Sequence, residues 1–92
     1  MKRGKVARVF IPSMMQNLTA GVTEVQICGR TVRDVIEQLE AQFPGFKDRL
    51  LQDGDIRPDI AVSIDGEIAF DIMERVGDRS EVHFIPPISG GH

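Results

Sequence analysis

The segment 31–43 has the sequence TVRDVIEQLEAQF, which carries the strongest secondary-structure signal in the chain. Its apolar residues recur at the spacing i, i+3, i+4, i+7 and i+11, which places them on one helical face: Val32, Val35, Ile36, Leu39 and Phe43. Thr31 is suited to cap this helix, and Pro44 ends it because proline disfavours helical geometry in the residue before it. A helix with one apolar face needs a sheet to pack against.

Two strands are predicted before the helix. Residues 6–11 alternate between two faces and stop at Pro12, which has no N–H to donate to a strand ladder. Residues 22–28 form the second strand, and its inward side chains are Thr23, Val25 and Ile27. The segment 13–21 connects the two strands. Cys28 ends the second strand and is expected to be a small buried side chain, because nothing near it in the sequence indicates a reactive thiol.

Three further strands are predicted after the helix. Residues 52–58 form a polar loop, and residues 60–65 form the third strand. Asp65-Gly66 then marks a hairpin turn, since both central positions of a type I′ turn need a positive φ. A short strand at 67–70 and a last strand at 80–85 complete the pattern. The order predicts an α+β roll, in which a mixed sheet of about five strands is crossed by one main helix.

The composition is that of a small globular domain. The 92 residues are 41% hydrophobic and 27% charged, with a net charge of -3 and a single cysteine. One cysteine excludes an internal disulfide and a cysteine-based metal cluster, and the absence of a basic stripe argues against nucleic-acid binding. No apolar run approaches the roughly 20 residues that span a bilayer, so we expect a cytoplasmic protein that does not bind a membrane.

Catalytic patterns are missing from the sequence. It contains no nucleophile–base pair, no paired carboxylates and no phosphate-binding glycine loop. His83 alternates with Val82 and Phe84 in the last strand and is expected to face solvent or a partner. Two histidines without further ligands do not make a metal site. We therefore expect a protein that is not an enzyme and binds neither a metal nor a cofactor.

The end of the chain carries the strongest functional signal. It has the sequence PPISGGH at residues 86–92. The prolines prevent further sheet pairing and stiffen the base of the last five residues. Gly90 and Gly91 have no side chain to collide with a narrow binding site and accept unusual backbone angles. We expect residues 1–87 to form the folded domain and residues 88–92 to form a flexible tail.

Five stretches carry a resemblance to a known family: VFIP at 9–12, LTAG at 18–21, GRTV at 29–32, LEAQFPG at 39–45 and FIPPISGG at 84–91. They resemble the ubiquitin-like sulfur carriers, a family with the β-grasp fold. It includes the small subunit of molybdopterin synthase, the thiamine-pathway sulfur carrier and a carrier that works with a cysteine synthase. The helix end and the Asp53-Gly54 loop are most similar to the cysteine-biosynthesis branch.

The resemblance implies a division of labour between this chain and its partners. Gly91 would be adenylated by an E1-like enzyme that uses ATP and would then become a thiocarboxylate. Gly90, Ile88 and Ser89 would thread into partner active sites. The implied sulfur acceptor is a cysteine synthase-like enzyme that contains pyridoxal phosphate. The large subunit of molybdopterin synthase is the second choice and the thiamine pathway the third.

His92 departs from the family pattern, which ends at glycine. It is removed by a protease of the JAMM metalloprotease type, or it is a residue left by cloning, or the chain has lost the carrier function. The rival hypotheses are a ubiquitin-like protein modifier and a passive β-grasp interaction module. We expect an apolar partner surface beside the tail, formed by Met14, Met15 and Phe70 together with Ile88.

Overall fold

The computed structural model describes residues 6–86. Its elements are β1 (Val6–Phe10), a 3-10 helix (Ser13–Thr19), β2 (Glu24–Cys28), α1 (Val32–Gln42), α2 (Phe46–Leu50), β3 (Leu51–Gln52), β4 (Asp55–Ile56), β5 (Ala61–Ile64), β6 (Glu67–Ala69) and β7 (Glu81–Ile85). Five strands form one sheet in the order β2-β1-β7-β5-β6, and β3 pairs with β4 in a separate hairpin. β1 and β7 run parallel, whereas the other neighbours are antiparallel. The predicted mixed sheet crossed by one main helix is confirmed.

α1 covers the sheet with the apolar face that the sequence predicts. Its buried residues are Val32, Val35, Ile36 and Leu39, and the half-buried Phe43 packs beside them. At its start, the hydroxyl of Thr31 accepts a hydrogen bond from the N–H of Asp34 at 3.2 Å. The Asp34 carboxylate in turn accepts from the N–H of Arg30 at 3.0 Å. The bond from Asp34 satisfies a donor that the first turn of a helix leaves without a partner, so the predicted cap is confirmed, and the bond from Arg30 ties the preceding residue to the helix.

The parallel pair β1 and β7 forms the centre of the sheet. The inward residues of the two strands are almost completely buried: Ala7, Val9, Val82 and Phe84. The register places Arg8 opposite Glu81 and Phe10 opposite His83, so these outward side chains are neighbours. Burying a valine or phenylalanine side chain stabilises a fold by about 1.5–3 kcal/mol relative to leaving it exposed. The predicted inward positions of the last strand are confirmed.

The second strand is shorter and more exposed than predicted. It begins at Glu24, so Thr23 lies outside it and is exposed, while Val25 is half-buried and only Ile27 is buried. This follows from the position of β2 at the edge of the sheet, where it has β1 on one side only. The prediction for Cys28 is wrong. Its thiol is exposed, because the alternation that turns Ile27 inward turns Cys28 outward.

Two segments predicted as connections contain regular structure. The segment 13–21 includes the 3-10 helix, and Ala20 ends this helix with a left-handed backbone. The predicted polar loop 52–58 includes the β3–β4 hairpin, whose turn is Asp53-Gly54 with φ angles of 54° and 81°. Within the described residues, no helix is both long and apolar enough to cross a membrane.

The Asp65-Gly66 turn joins β5 to β6, as predicted, and both residues have positive φ, 53° and 87°. The carboxylate of Asp65 accepts hydrogen bonds from the N–H of Glu81 and from the hydroxyl of Ser80, each at 2.9 Å. These bonds tie the turn to the start of β7. The backbone N–H of Glu81, followed by the Ser80 hydroxyl, holds the pKa of the Asp65 carboxyl below its ordinary value.

Replacing Leu39 by alanine is expected to lower the free energy of unfolding by about 2–5 kcal/mol, because it leaves a cavity between α1 and the sheet. Gln38→Ala changes an exposed position on the same helix and is expected to have an effect within about 0.5 kcal/mol. Urea denaturation measures both variants. Equal effects of the two substitutions would contradict the assignment of the buried helix face.

Asp65→Asn is expected to reduce stability at pH 7 and to make stability depend less on pH below about 4. The folded-state pKa of Asp65 lies below its unfolded-state value, so the unfolded chain binds a proton more readily. This contribution is therefore present above the unfolded-state pKa and is lost as pH falls through the folded-state pKa. Urea midpoints at neutral and acidic pH provide the measurement.

Asp53→Asn is the matched control for this charge removal. Asp53 also precedes a glycine in a turn with positive φ, and its carboxylate makes no hydrogen bond among residues 6–86. Asparagine tolerates the left-handed backbone at both positions. If Asp53→Asn flattened the pH profile as much as Asp65→Asn, the contribution of the Asp65 hydrogen bonds would be refuted.

Candidate functional site

The predicted tail residues lie outside the residues that the structure describes. They are Ile88, Ser89, Gly90, Gly91 and His92. The described part of the candidate site is therefore the surface around Pro86, the last described residue. Pro86 follows β7, which has neighbours on both sides, β1 and β5. The base of the tail consequently starts from the central strands of the sheet.

A groove lies beside Pro86, with a volume of about 260 Å³. Its apolar lining comes from the 3-10 helix, from Ile60 just before β5 and from Pro86, and its charged lining comes from α2 and the segment after β4. The full lining is Met14, Met15, Asp48, Arg49, Arg57, Asp59, Ile60 and Pro86. Arg57 and Asp59 form an ion pair at 3.2 Å on its rim. We call this the tail groove.

The predicted partner-surface residues differ in their surroundings. Met14 is 56% exposed and lines the tail groove. The prediction that Met15 is an exposed contact is wrong, because Met15 is only 2% exposed and belongs to the core. The 3-10 helix directs neighbouring side chains to different sides, so one methionine packs inward and the other outward. Phe70 is 87% exposed, immediately after β6, and does not line the tail groove.

The outer face of the sheet meets the tail groove at the end of β7. Ile85, which immediately precedes Pro86, is 45% exposed. Phe10 and His83 stack on this face with ring centroids 4.4 Å apart and parallel planes. His83 therefore faces outward, as predicted. The stack offers a flat, partly apolar surface next to an exposed isoleucine, which suits contact with another protein.

An ion-pair network borders the Phe10–His83 stack on the side away from Ile85. The guanidinium of Arg8 donates to Glu24 at 2.9 Å and to Glu81 at 3.2 Å. It also lies 5.3 Å from the centre of the Phe10 ring, within cation–π distance. The hydrogen bond from Arg8 lowers the pKa of the Glu24 carboxyl, and the same bond raises the pKa of Arg8. Arg8 thus stays charged and holds Phe10 and the two carboxylates in place.

Several residues of this surface were not identified from the sequence. The alternation that puts Phe84 inward also puts Ile85 outward, so that signal was available. Arg49 and Arg57 gave no such signal, because they reach the tail groove only through the tertiary fold, which brings α2 and the segment after β4 to the same groove as Met14.

The described site offers surfaces rather than reactive groups. Within residues 6–86, no three His, Cys, Asp or Glu side chains are grouped so as to hold a metal ion. The groups that surround Pro86 are an apolar floor, two arginines and two aspartates. Such an arrangement can bind another protein and hold the base of a tail in a fixed position.

Comparisons with known proteins identify a family and a similar sequence. The model of the ThiS family matches residues 11–91. The small archaeal modifier protein 3 of Haloferax volcanii is 36% identical over 64 residues, which are 66% of this chain and 70% of that protein.

Solved structures share the fold. A chain in the crystal structure of the Amycolatopsis orientalis BexX/CysO complex has a TM-score of 0.88 and 26% identity, over 92% of this chain and 99% of that one. SAMP1 from Haloferax volcanii has a TM-score of 0.79 and 26% identity, over 94% of this chain and 99% of that one.

Proposed function

Because this chain belongs to the ThiS family, we propose that it is a sulfur carrier that serves as a co-substrate of partner enzymes. The observation that carries the proposal is the extent of the family match. The match runs to residue 91 and so includes Gly90 and Gly91, the residues that the chemistry requires. The surface around Pro86 supports it as well, since it presents apolar and charged groups at the base of the tail.

The proposed chemistry takes place at the carboxylate of Gly91. A carboxylate is a poor electrophile, so an adenylating enzyme first joins it to the AMP portion of ATP and releases pyrophosphate. Sulfide or an enzyme persulfide then displaces AMP from the acyl-adenylate, and the persulfide route also needs a thiol to reduce the resulting disulfide. The product is a thiocarboxylate. ATP is bound by the activating enzyme, and the folded domain of this chain supplies recognition.

Cysteine synthesis is the first choice for the use of this sulfur. The acceptor would be a cysteine synthase-like enzyme, which supplies pyridoxal phosphate. The similarity to a chain of the BexX/CysO complex supports this choice, and that complex also supports docking of such a carrier on a partner protein. The large subunit of molybdopterin synthase and the thiamine pathway are the next choices.

Removal of His92 precedes activation in this scheme. The reacting carboxylate belongs to Gly91 only when no residue follows it, and His92 also lies beyond the family match. A JAMM-type metalloprotease is the proposed processing enzyme.

A protein modifier is the second candidate function. The 36% identity to a protein named small archaeal modifier protein 3 favours it. The first step would be the same adenylation of Gly91, but the activated carboxyl would then be transferred to a lysine amine. The two functions differ in the final acceptor, a sulfur atom or an amine, and the same surface around Pro86 would serve both.

The intact mass of untagged protein from its own cells is expected to show loss of His92 and a gain of about 16 Da, the oxygen-to-sulfur change of a thiocarboxylate. Chains with Gly91→Ala are the control and are expected to show no such gain. Isopeptide linkage of Gly91 to other proteins, without the sulfur species, would favour the modifier. Retention of His92 after incubation with lysate and ATP would refute both in favour of a passive binding module.

Met14→Asp is expected to reduce kcat/KM for adenylation of the chain ending at Gly91 by about tenfold, because it places a charge in the apolar part of an interface. Val22→Asp is the matched control, since Val22 is also an exposed apolar residue and does not line the tail groove. ATP–pyrophosphate exchange measures the rate, and thermal unfolding checks that both variants are folded. Equal rates for Met14→Asp and Val22→Asp would remove the tail groove from the partner surface.

A further inference from the structure

A second and larger cavity lies at the start of α1, with a volume of about 740 Å³. Three arginines dominate its lining, and the segment after β6 closes it with Met73. The lining residues are Arg30, Thr31, Arg33, Asp34, Glu37, Met73 and Arg75. We call this the arginine cavity. Thr31 and Arg75 hold its two walls together through a β-bridge.

The three arginines are available for a ligand. Their guanidinium groups form no hydrogen bond or ion pair with another residue in the range 6–86. The two acids in the lining already have partners. Asp34 accepts the N–H of Arg30, and Glu37 pairs with the ammonium of Lys47 at 3.1 Å. The cavity therefore exposes a surplus of positive charge on a protein whose net charge is -3.

The first backbone N–H groups of α1 are not free to bind a ligand. The N–H of Val32 donates to the carbonyl of Glu74 at 3.0 Å, and the N–H of Arg33 donates to the carbonyl of Ile72 at 2.8 Å. The N–H of Asp34 donates to Thr31. Since these donors are satisfied within the chain, recognition in the arginine cavity falls to the guanidinium groups and to Met73.

We propose that the arginine cavity is a docking site for an acidic peptide segment of a partner protein. Guanidinium groups bind carboxylates through two parallel hydrogen bonds, which makes arginine the preferred residue for such recognition. Met73 is 60% exposed and offers an apolar contact for a side chain between the acids. The cavity volume lies within the range of about 300–1,000 Å³ that is typical of ligand sites.

The charge distribution favours a short acidic peptide over a nucleic acid. A nucleic acid needs a basic surface that follows several phosphates, whereas the arginine cavity is bordered by Asp34 and Glu37. The chain's own ends do not fit the cavity. Residues 1–5 and residues 87–92 contain no aspartate or glutamate, so neither segment provides an acidic peptide.

The start of α1 and the base of the tail lie toward opposite ends of the sheet. Cys28, two residues before Arg30, pairs with Val6 at the beginning of β1. In the register of β1 with β7, Ile85 at the base of the tail lies six residues beyond Val6. At 3.3 Å per residue, this corresponds to a distance of about 20 Å. A peptide in the arginine cavity therefore leaves the tail accessible to an enzyme. The inference holds whether the tail carries sulfur or modifies proteins.

The experiment uses the full chain and a fluorescein-labelled peptide in which two aspartates stand on each side of one leucine. We expect saturable binding by fluorescence anisotropy, with amide chemical-shift changes concentrated at the arginine cavity. Arg33→Glu with Arg75→Glu is expected to weaken binding by at least about tenfold, because it replaces two carboxylate-binding groups by repelling ones.

The control is Arg79→Glu, compared with Arg75→Glu alone, because both make the same change in net charge at an exposed residue and Arg79 lies outside the arginine cavity and the tail groove. Arg79→Glu is expected to weaken binding less than about twofold, and Arg75→Glu is expected to weaken it more. Arg33→Gln with Arg75→Gln checks the result without charge reversal, and thermal unfolding confirms that all variants are folded. Equal weakening by Arg75→Glu and Arg79→Glu would overturn the proposal. So would chemical-shift changes centred elsewhere, absence of binding, or tighter binding of single-stranded DNA to the same cavity.

Discussion

The parallel pairing of β1 with β7 is the constraint on which the other features of the structure depend. It joins the beginning and the end of the described chain in the middle of one sheet, with Val9 and Val82 both fully buried. Parallel strands run to the same end of a sheet. The segments after them, the 3-10 helix beyond β1 and Pro86 beyond β7, must therefore emerge together. This brings Met14 beside Pro86 at the base of the tail, although 72 positions separate these two residues in sequence. The tail groove results from this topology.

The elements that the sequence predicted are those whose signal is local. The α1 stripe has a period and a cap, and Asp65-Gly66 is a turn dipeptide between two apolar strands. Asp53-Gly54 adopts the same pair of positive φ angles, but its two flanking strands are only two residues long and each has an exposed polar residue beside the turn. The β3–β4 hairpin therefore resembled a loop. The fold class follows from the local elements, because one amphipathic helix and several alternating strands allow few arrangements.

The site was less predictable because its members depend on contacts between distant segments. Periodicity predicts which face of a strand is buried, and it places Cys28 on the face opposite Ile27. Cys28 was misplaced because the frequent burial of cysteine was given more weight than this alternation. The two adjacent methionines had the same sequence signal, and only packing separates the buried Met15 from the exposed Met14. Arg49 in α2 and Arg57 after β4 border the tail groove through tertiary contacts that no window of sequence contains.

A carrier that visits several enzymes faces opposing demands on its surface. The tail must fit each active site, while the surface around the tail must bind strongly enough to present it and weakly enough to release it. The tail groove suits this, since its arginines and aspartates balance in charge and its apolar lining centres on one flexible, exposed methionine. Surface charges mainly change association rates and discrimination between partners. Selectivity that the tail groove does not provide can therefore come from a charged site at the other end of the sheet, where binding does not obstruct the tail.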